Sequence, residues 1–198
     1  MSDSVLYNGK LFQVVNRKSK NTVQIDNQDF EIDLDYELIK RPPGLRAIIV
    51  KDHSVLLNRE FRYEKNDWDY RLPGGKVFDS LEEYKHSLKN NTLTLNIQKK
   101  LLEELSEEAD ILPENYLFFY KSICGFTVEW DLYYYVVDRF KELSSSRNNC
   151  IRKNEFEFIE HCWIDYNEAF NFCIQNKISE ERSSNALIRF LYPRIKGE

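Results

Sequence analysis

The sequence has few of the residues that build disulfide scaffolds or zinc sites. It contains only three histidines and four cysteines, and no two cysteines form a Cys-x-x-Cys pair. This spacing is too sparse for a disulfide framework, and the scattered histidines disfavour a zinc site. The cysteines, which are Cys124, Cys150, Cys162 and Cys173, are therefore expected to be reduced thiols.

Long apolar runs and an excess of positive charge are also absent. The N-terminal residues lack a basic and then apolar signal segment, and no run approaches the length of a membrane span. The formal net charge is −5, whereas nucleic-acid-binding domains are usually basic. We expect a cytoplasmic protein that binds neither membranes nor nucleic acid. A nucleotide substrate stays open, because metal ions can bridge acidic side chains to phosphates.

The composition predicts one folded domain with a small N-terminal appendage. Of the 198 residues, 42% are hydrophobic and 14% are aromatic, which is enough for a sizeable core. Alternating apolar and polar positions predict strands in Val5–Asn16 and Thr22–Leu34, with a turn near Lys18–Asn21. Such a β meander, residues 1–42, cannot bury much alone and must pack on the main domain, residues 43–198, or on a second copy.

The main domain alternates predicted strands and helices, which is typical of an α/β sandwich with a mixed sheet between helices. A polar segment at about residues 83–97 is interpreted as a surface insertion. Strands are predicted at Leu45–Val50, Ser54–Asn58, Asp67–Leu72, Tyr116–Cys124, Trp130–Asp138 and Glu157–Ile164, and helices at Ile97–Ala109, Asn167–Asn176 and Glu180–Leu191.

The most informative segment is the predicted helix that contains Glu104, Glu107 and Glu108. Residues three and four apart lie on one side of a helix, so these carboxylates are close and repel one another. They form either a solvated acidic face or the ligands of a hard divalent cation. The order of an apolar strand, a Gly74–Gly75 turn and then this helix favours the cation site.

These residues resemble the Nudix box, in which a glycine loop precedes an acidic helix. Gly75 matches the first glycine of that box, and Glu103–Ile111 matches its second half. The box arginine is replaced by Glu103 and its last glycine by Asp110, and the insertion separates the two halves. The resemblance implies a Nudix-type α/β/α sandwich.

Further segments resemble the ADP-ribose pyrophosphatase branch of the Nudix hydrolases, whose members hydrolyse nucleotide sugars. Cys124 stands where this branch usually has a proline that is associated with ADP-ribose preference. The segments that carry the resemblance are Asn58–Tyr63, Ser122–Glu129, Glu155–Glu160 with Cys162–Ile164, and Ile178–Leu187.

The resemblance and the chemistry together imply a metal site. Its expected ligands are Glu104, Glu107, Glu108 and the Gly74 carbonyl, and its expected metal is Mg²⁺, with Mn²⁺ as an alternative. Glu108 and Glu107 are the expected catalytic carboxylates. In this branch the base that activates water lies on a later loop, so Glu155 and Glu157 are the candidates, or else surface charges.

The expected substrate-binding residues come from several parts of the chain. Arg46 and Arg62 either bind phosphates or lie on the surface, and Tyr63, Trp68 and Phe126 either stack on a base or pack in the core. Gly75 and Glu129 enter through the motifs that resemble the family. Dimeric members of the branch use their N-terminal meander to complete a neighbour's pocket, which implies a homodimer.

The sequence therefore predicts an enzyme, a magnesium-dependent Nudix pyrophosphatase. It would split a nucleoside diphosphate derivative, such as ADP-ribose or a nucleotide sugar, into two monophosphates. Two alternatives stay open: hydrolysis of a nucleoside triphosphate, and a nucleotide-sensing binding domain in which the box has lost its activity.

Overall fold

The computed structural model describes residues 1–125, 127–143, 150–152 and 157–197. Phe126 and Glu155 lie outside the described residues, as does the side chain of Glu157. The strands are β1 (Ser2–Asn8), β2 (Gln13–Ile25), β3 (Gln28–Lys40), β4 (Gly44–Lys51), β5 (Ser54–Arg62), β6 (Asp67–Arg71), β7 (Ile111–Ser122), β8 (Val128–Glu129), β9 (Leu132–Glu142), β10 (Cys150–Arg152) and β11 (Glu157–Asp165). The helices are α1 (Leu81–Lys89), α2 (Leu93–Glu108), α3 (Tyr166–Ile174) and α4 (Glu181–Lys196).

The predicted α/β class is confirmed. One sheet has four strands in the order β1-β2-β3-β8, in which β8 is parallel to β3. The other has seven strands in the order β10-β11-β5-β4-β9-β7, with β6 paired to β5. None of the helices in the described ranges is long and apolar enough to cross a membrane.

The chain forms two compact units. The first contains Met1–Gly44, Lys76–Thr94 and Ile123–Asp131, and the second contains Leu45–Gly75, Leu95–Ser122 and Leu132–Glu198. Residues 1–42, which were expected to form an appendage, thus share a unit with two later segments of the chain.

In the first unit, β2 and β3 form one long hairpin, and the predicted turn near Lys18–Asn21 was wrong. The strands pair without interruption from Gln13 and Lys40 to a two-residue turn at Asp26–Asn27. Both turn residues have positive φ, 50° and 63°, which Asp and Asn tolerate better than most residues and which two-residue hairpin turns require. The alternation of side chains continues through Lys18–Asn21, so nothing interrupts the strand there.

An ion cluster ties the four strands of this sheet together. Arg17 of β2 binds Asp3 of β1, with Nε 2.7 Å from Oδ1, and also binds Glu129 of β8. Lys40 of β3 binds Asp3 as well. Hydrogen bonds from Arg17 and then Lys40 hold the pKa of Asp3 well below its usual range. The first strand is therefore held by its backbone pairing with β2 and by these ion pairs, since its side chains are exposed.

The segment interpreted as an insertion is helical. Ser80 caps α1 by accepting a hydrogen bond from the Glu83 N–H at 3.2 Å, and the Glu83 carboxylate accepts one from the Asp79 N–H at 3.1 Å. The Ser80 bond is the N-cap half of a capping box, while the Glu83 carboxylate bonds the N–H one residue before the cap. Together these bonds favour a helix start even in a polar segment. The next helix, α2, begins at Leu93, four residues before the predicted start at Ile97.

In the second unit, the sheet packs against α3 and α4 around an aromatic and aliphatic core. Tyr134 of β9 and Phe190 of α4 are among the largest fully buried side chains. The spacing of Ile97, Leu101, Leu102 and Leu105 in the sequence predicts one buried stripe on α2. In the structure Ile97, Leu101 and Leu105 are buried and Leu102 is half-buried, so the stripe is present. The last turn of α2, which contains the acidic residues, is therefore fixed by apolar contacts earlier in the helix.

A buried carboxylate connects β6 to the segment before α4. Asp69, 3% exposed, accepts hydrogen bonds from the Ser179 N–H at 3.0 Å and the Ser179 hydroxyl at 2.6 Å. Arg71 lies 2.9 Å from the same carboxylate. Burial by itself would raise the pKa of Asp69, but Ser179 and Arg71 outweigh it and lower that pKa.

We expect Asp69→Asn to lower the free energy of unfolding by about 2 kcal/mol at neutral pH, because it removes charge-assisted hydrogen bonds from a buried site. Urea unfolding at several pH values measures the difference. A carboxylate with a depressed folded pKa stabilises the protein above its unfolded pKa of about 3.9. This contribution is lost as the pH falls through the folded pKa, so the gap between variant and wild type should close in acid.

Asp67→Asn is the matched control, because the exposed Asp67 bonds only the N–H of the next residue, at 2.7 Å, and Asn can still accept that bond. Equal stability of Asp69→Asn and the wild type at neutral pH would contradict the assigned role.

Candidate functional site

The end of α2 separates the three predicted carboxylates into an inward pair, Glu104 and Glu108, which is called the buried pair below, and the exposed Glu107. Glu104 is 8% exposed and Glu108 is half-buried, one turn further along the same face of the helix. Glu107 is exposed. The structure therefore brings Glu104 and Glu108 together and places Glu107 beside them, toward solvent.

The Gly74–Gly75 turn packs directly on the buried pair. The Gly74 N–H donates a hydrogen bond to Glu108 Oε2 at 2.8 Å. A Cβ on Gly75 would lie 2.6 Å from Glu104 Oε1, and Gly74 has a φ of +132° with its absent Cβ aimed at the Leu45 carbonyl oxygen, 2.5 Å away. Only glycine fits at position 74, because the clash there is with backbone atoms and the φ is positive. At position 75 a larger residue would displace the Glu104 carboxylate, so the observed contact needs a glycine there.

The environment of Glu108 disfavours its negative charge. Burial raises the pKa of Glu108 to about 8. The Gly74 hydrogen bond opposes that rise, while the nearby charges of Glu104 and Glu60 add to it. A positive charge placed beside these carboxylates would keep Glu108 ionised.

Two cations adjoin the buried pair. Lys100 Nζ lies 3.2 Å from Glu104 Oε1 and 3.5 Å from Glu103. Burial alone would lower the pKa of Lys100, but the charge of Glu104 raises it. Arg46 of β4 donates to the carbonyl of Gly74, which was expected to be a metal ligand. Arg46 therefore fixes the glycine turn from the side of the sheet.

A cleft of about 310 Å³ opens beside Glu108. Its walls combine cations, anions and aromatic side chains, among them Arg46, Glu60, Arg62, Tyr63, Gly74 and Glu108. Arg62 lies 2.7 Å from Glu64 and 3.4 Å from Glu60. Both predicted phosphate-binding arginines thus line the cleft, although Arg62 already has carboxylate partners.

The aromatic candidates have different positions. Tyr63 lines the cleft and is 58% exposed, so its ring is accessible to a ligand. Trp68 does not line the cleft; it packs edge-on against Phe61 at 5.7 Å and under the guanidinium of Arg59 at 4.3 Å. The position of Trp68 agrees with the packing alternative.

The remaining predicted residues lie elsewhere. Glu129 belongs to the ion cluster of the first unit, where it binds Arg17, and the carboxylates of the site belong to the second unit. Phe126, Glu155 and the side chain of Glu157 lie outside the described residues, so their predicted roles stay predictions.

The carboxylates of the site can be compared with the ligands that Mg²⁺ usually takes. Within the ranges that the structure describes, no three His, Cys, Asp or Glu side chains lie close enough together to hold a metal ion. Mg²⁺ is usually bound by one or two carboxylates, and waters and substrate phosphates complete its shell. The pair Glu104 and Glu108, packed on a glycine turn, fits Mg²⁺ that is bound together with a phosphate substrate.

Three residues of the site were not identified from the sequence. Asn58 and His161 contact the main-chain carbonyl of Glu108, and Glu60 lines the cleft. Asn58 and Glu60 lie in the Asn58–Tyr63 segment that carries the resemblance. Because they are two residues apart on β5, they share a face of the strand, and this spacing could have identified them. His161 is on β11, and nothing in the sequence connects it with α2.

Comparison with known proteins supports the fold. No family model and no curated protein matches this chain. The crystal structure of an ADP compounds hydrolase is similar to the chain, with a TM-score of 0.62 and 16% identity, over 100% of this chain and 96% of that one. The fold is Nudix-like. The solution structure of the E. coli ORF135 protein is also similar, with a TM-score of 0.50 and 18% identity, over 77% of this chain and 89% of that one.

The packing of the glycine turn within this Nudix-like fold leads to a prediction about stability. Gly74→Ala should lower the free energy of unfolding by about 2 kcal/mol or more, because it combines an unfavourable backbone conformation with a contact to the backbone at Leu45. Urea unfolding measures this loss.

Gly125→Ala is the matched control. Nothing lies within 4 Å of its added Cβ, so its stability should stay within about 0.5 kcal/mol of the wild type. Equal stability of the two variants would contradict the described turn.

Proposed function

We propose that this protein catalyses magnesium-dependent hydrolysis of the pyrophosphate bond of a nucleoside diphosphate derivative, ADP-ribose or a nucleotide sugar, to give two monophosphates. The observation that carries the proposal is the packing of the Gly74–Gly75 turn on the buried carboxylates of Glu104 and Glu108, at the edge of a cleft with arginines. The similarity to an ADP compounds hydrolase, by itself a similarity of fold, agrees with this proposal.

Each part of the cleft has a role in this chemistry. Glu104 and Glu108 would hold Mg²⁺, which neutralises charge on the phosphoryl oxygens in the transition state. Arg46 lines the same cleft as Glu108 and can donate to a phosphate oxygen with N–H groups that its bonds to the Leu45 and Gly74 carbonyls do not use. Tyr63, at the rim, offers a ring to the base or sugar.

The activation of water requires a carboxylate near the cleft. Glu155 and Glu157 stay candidates for this base. Glu60 joins them, because it lines the cleft, its side chain is 17% exposed, and its charge acts on Glu108. Exchange of Glu60, Glu155 and Glu157 for Gln, one at a time, would separate the candidates by their effects on kcat.

The first test is the release of AMP from ADP-ribose with and without Mg²⁺, together with a panel of nucleotide sugars and nucleoside triphosphates. Glu108→Gln should reduce kcat/KM at least about hundredfold, since loss of a metal ligand removes about 3 kcal/mol of transition-state stabilisation. Glu103→Gln is the control on the same helix, because Glu103 is exposed and contacts Lys100 at 3.5 Å.

The panel also distinguishes the alternatives. Preference for a triphosphate would replace the substrate class and keep the hydrolase. Tight binding of a nucleotide without turnover, with or without Mg²⁺, would show a sensor domain and contradict the proposed reaction. The cytoplasmic location expected from the sequence stays a prediction.

We also propose that the protein forms a homodimer through the distal part of the β2–β3 hairpin. Val23, Ile25, Phe30 and Ile32 lie on one face of this ribbon and are 39–54% exposed. The same face is buried nearer the base of the hairpin, at Val15 and Leu38. A second copy of the hairpin has the same apolar face, so association of the two copies would bury these four exposed side chains as well.

Phe30→Asp should weaken this dimer at least about tenfold, because it places a charge in the centre of the apolar face. Sedimentation equilibrium measures the association. Asp33→Asn is the control, since Asp33 lies on the opposite face of the same strand and its side chain is 76% exposed. A wild-type protein that is monomeric at all concentrations would rule out the dimer.

A further inference from the structure

The last main-chain carbonyl of α2, that of Glu108, is contacted by side chains from two strands. Asn58 Nδ2 of β5 donates to it at 3.1 Å, and His161 Nε2 of β11 lies 2.8 Å away. The two residues are directly opposite each other in the antiparallel β11–β5 pair. A carbonyl oxygen can only accept, so the imidazole hydrogen is on Nε2. The sheet therefore binds the end of the helix through two neighbouring donors.

The chain turns away from the helix at Asp110, two residues after Glu108. Asp110 has a φ of +51°, a left-handed conformation that Asp adopts more readily than most residues but less readily than glycine. It stands where the Nudix box has its last glycine. His161 Nδ1 lies 3.9 Å from the Asp110 carboxylate, so the imidazole ring is between this carboxylate and the Glu108 carbonyl. At 3.9 Å this contact is too long for a hydrogen bond, and a neutral imidazole with its hydrogen on Nε2 has no donor on Nδ1. The ring is therefore held by its contact with the Glu108 carbonyl.

Glu108 is consequently held through both its main chain and its side chain. Its main chain is anchored to the sheet by Asn58 and His161, and its carboxylate accepts the hydrogen bond of Gly74. The last carbonyls of a helix have no partner inside the helix, and its final turn frays unless other groups bind them. Fraying here would displace the carboxylate, and a displacement of about 1 Å can reduce catalysis about hundredfold.

We infer that His161, assisted by Asn58, is a positioning residue for the Glu108 carboxylate. This inference rests on the proposed metal-dependent hydrolase function. His161 acts through the main chain of Glu108 and is not among the residues that line the cleft. It compensates for the glycine that the box lacks at residue 110, because it fixes the helix end that a glycine would otherwise shape.

The test compares His161→Ala with His161→Gln, whose amide nitrogen can donate to the same carbonyl. Three quantities are measured: the affinity for Mn²⁺ alone by isothermal titration calorimetry, kcat and KM for the best substrate of the panel, and the melting temperature. His161→Ala should weaken Mn²⁺ binding about tenfold and reduce kcat by a similar factor, as is usual for groups that orient metal ligands. His161→Gln should restore both to within about twofold.

His86→Ala is the control, because His86 is an exposed histidine on α1 that contacts Asn90. A lower melting temperature of His161→Ala with unchanged Mn²⁺ affinity and kcat would overturn the inference, since the role would then be structural. Failure of His161→Gln to restore either quantity would overturn it as well.

Failure of the proposed function has a different signature. It would appear in the wild type, as neither Mn²⁺ binding nor turnover, and the inference would fall with it. A wild type that binds Mn²⁺ and turns over, with binding lost in Glu108→Gln, keeps the function and leaves His161 to be judged by its own variants.

Discussion

The site depends on one contact, the packing of the Gly74–Gly75 turn on two buried carboxylates. Burial of Glu104 and Glu108 is unfavourable unless their oxygens meet donors or cations. The contact needs a backbone N–H at Gly74 and the absence of a Cβ at Gly75. Most other features of the site support this geometry. The buried apolar stripe of α2 fixes the position of the two carboxylates relative to the sheet, and Arg46 of β4 binds the glycine turn.

The contact also explains the balance of charge in the cleft. Glu60 and Glu108 line the cleft together with Arg46 and Arg62, and the charges of Glu104 and Glu60 both act on Glu108. Such a mixture suits a ligand that brings both a divalent cation and phosphate groups. It does not suit a purely apolar ligand, which would leave these charges desolvated without partners. The raised pKa of Glu108 is the electrostatic consequence of this crowding.

Residues distant in the sequence contact the turn and the helix end where the chain departs from the box that it resembles. The position of the box arginine is Glu103, and Arg46 of β4 binds the glycine turn. The position of its last glycine is Asp110, and His161 of β11 and Asn58 of β5 contact the carbonyl at the helix end. All three contacting residues lie on strands of the seven-stranded sheet.

Local patterns were sufficient for most elements. The stripe at Ile97, Leu101 and Leu105 predicted α2, because a buried helical face requires that period. The hairpin turn was misplaced because the polar Lys18–Asn21 segment resembles a loop, while strand pairing extends β2 to Asp26. The insertion proved helical because the capping bonds of Ser80 and Glu83 outweigh its polar composition.

The sequence by itself determined the class of the fold, the acidic face of α2 and the glycine turn, because each follows from side-chain period or from the conformational freedom of glycine. Only the tertiary structure decided which carboxylates are buried, which arginine holds the turn and that Glu129 lies in a separate ion cluster. The reason is that burial, pairing and pKa depend on neighbours brought close by strand order, and no local pattern encodes the distance between β4, β11 and the end of α2.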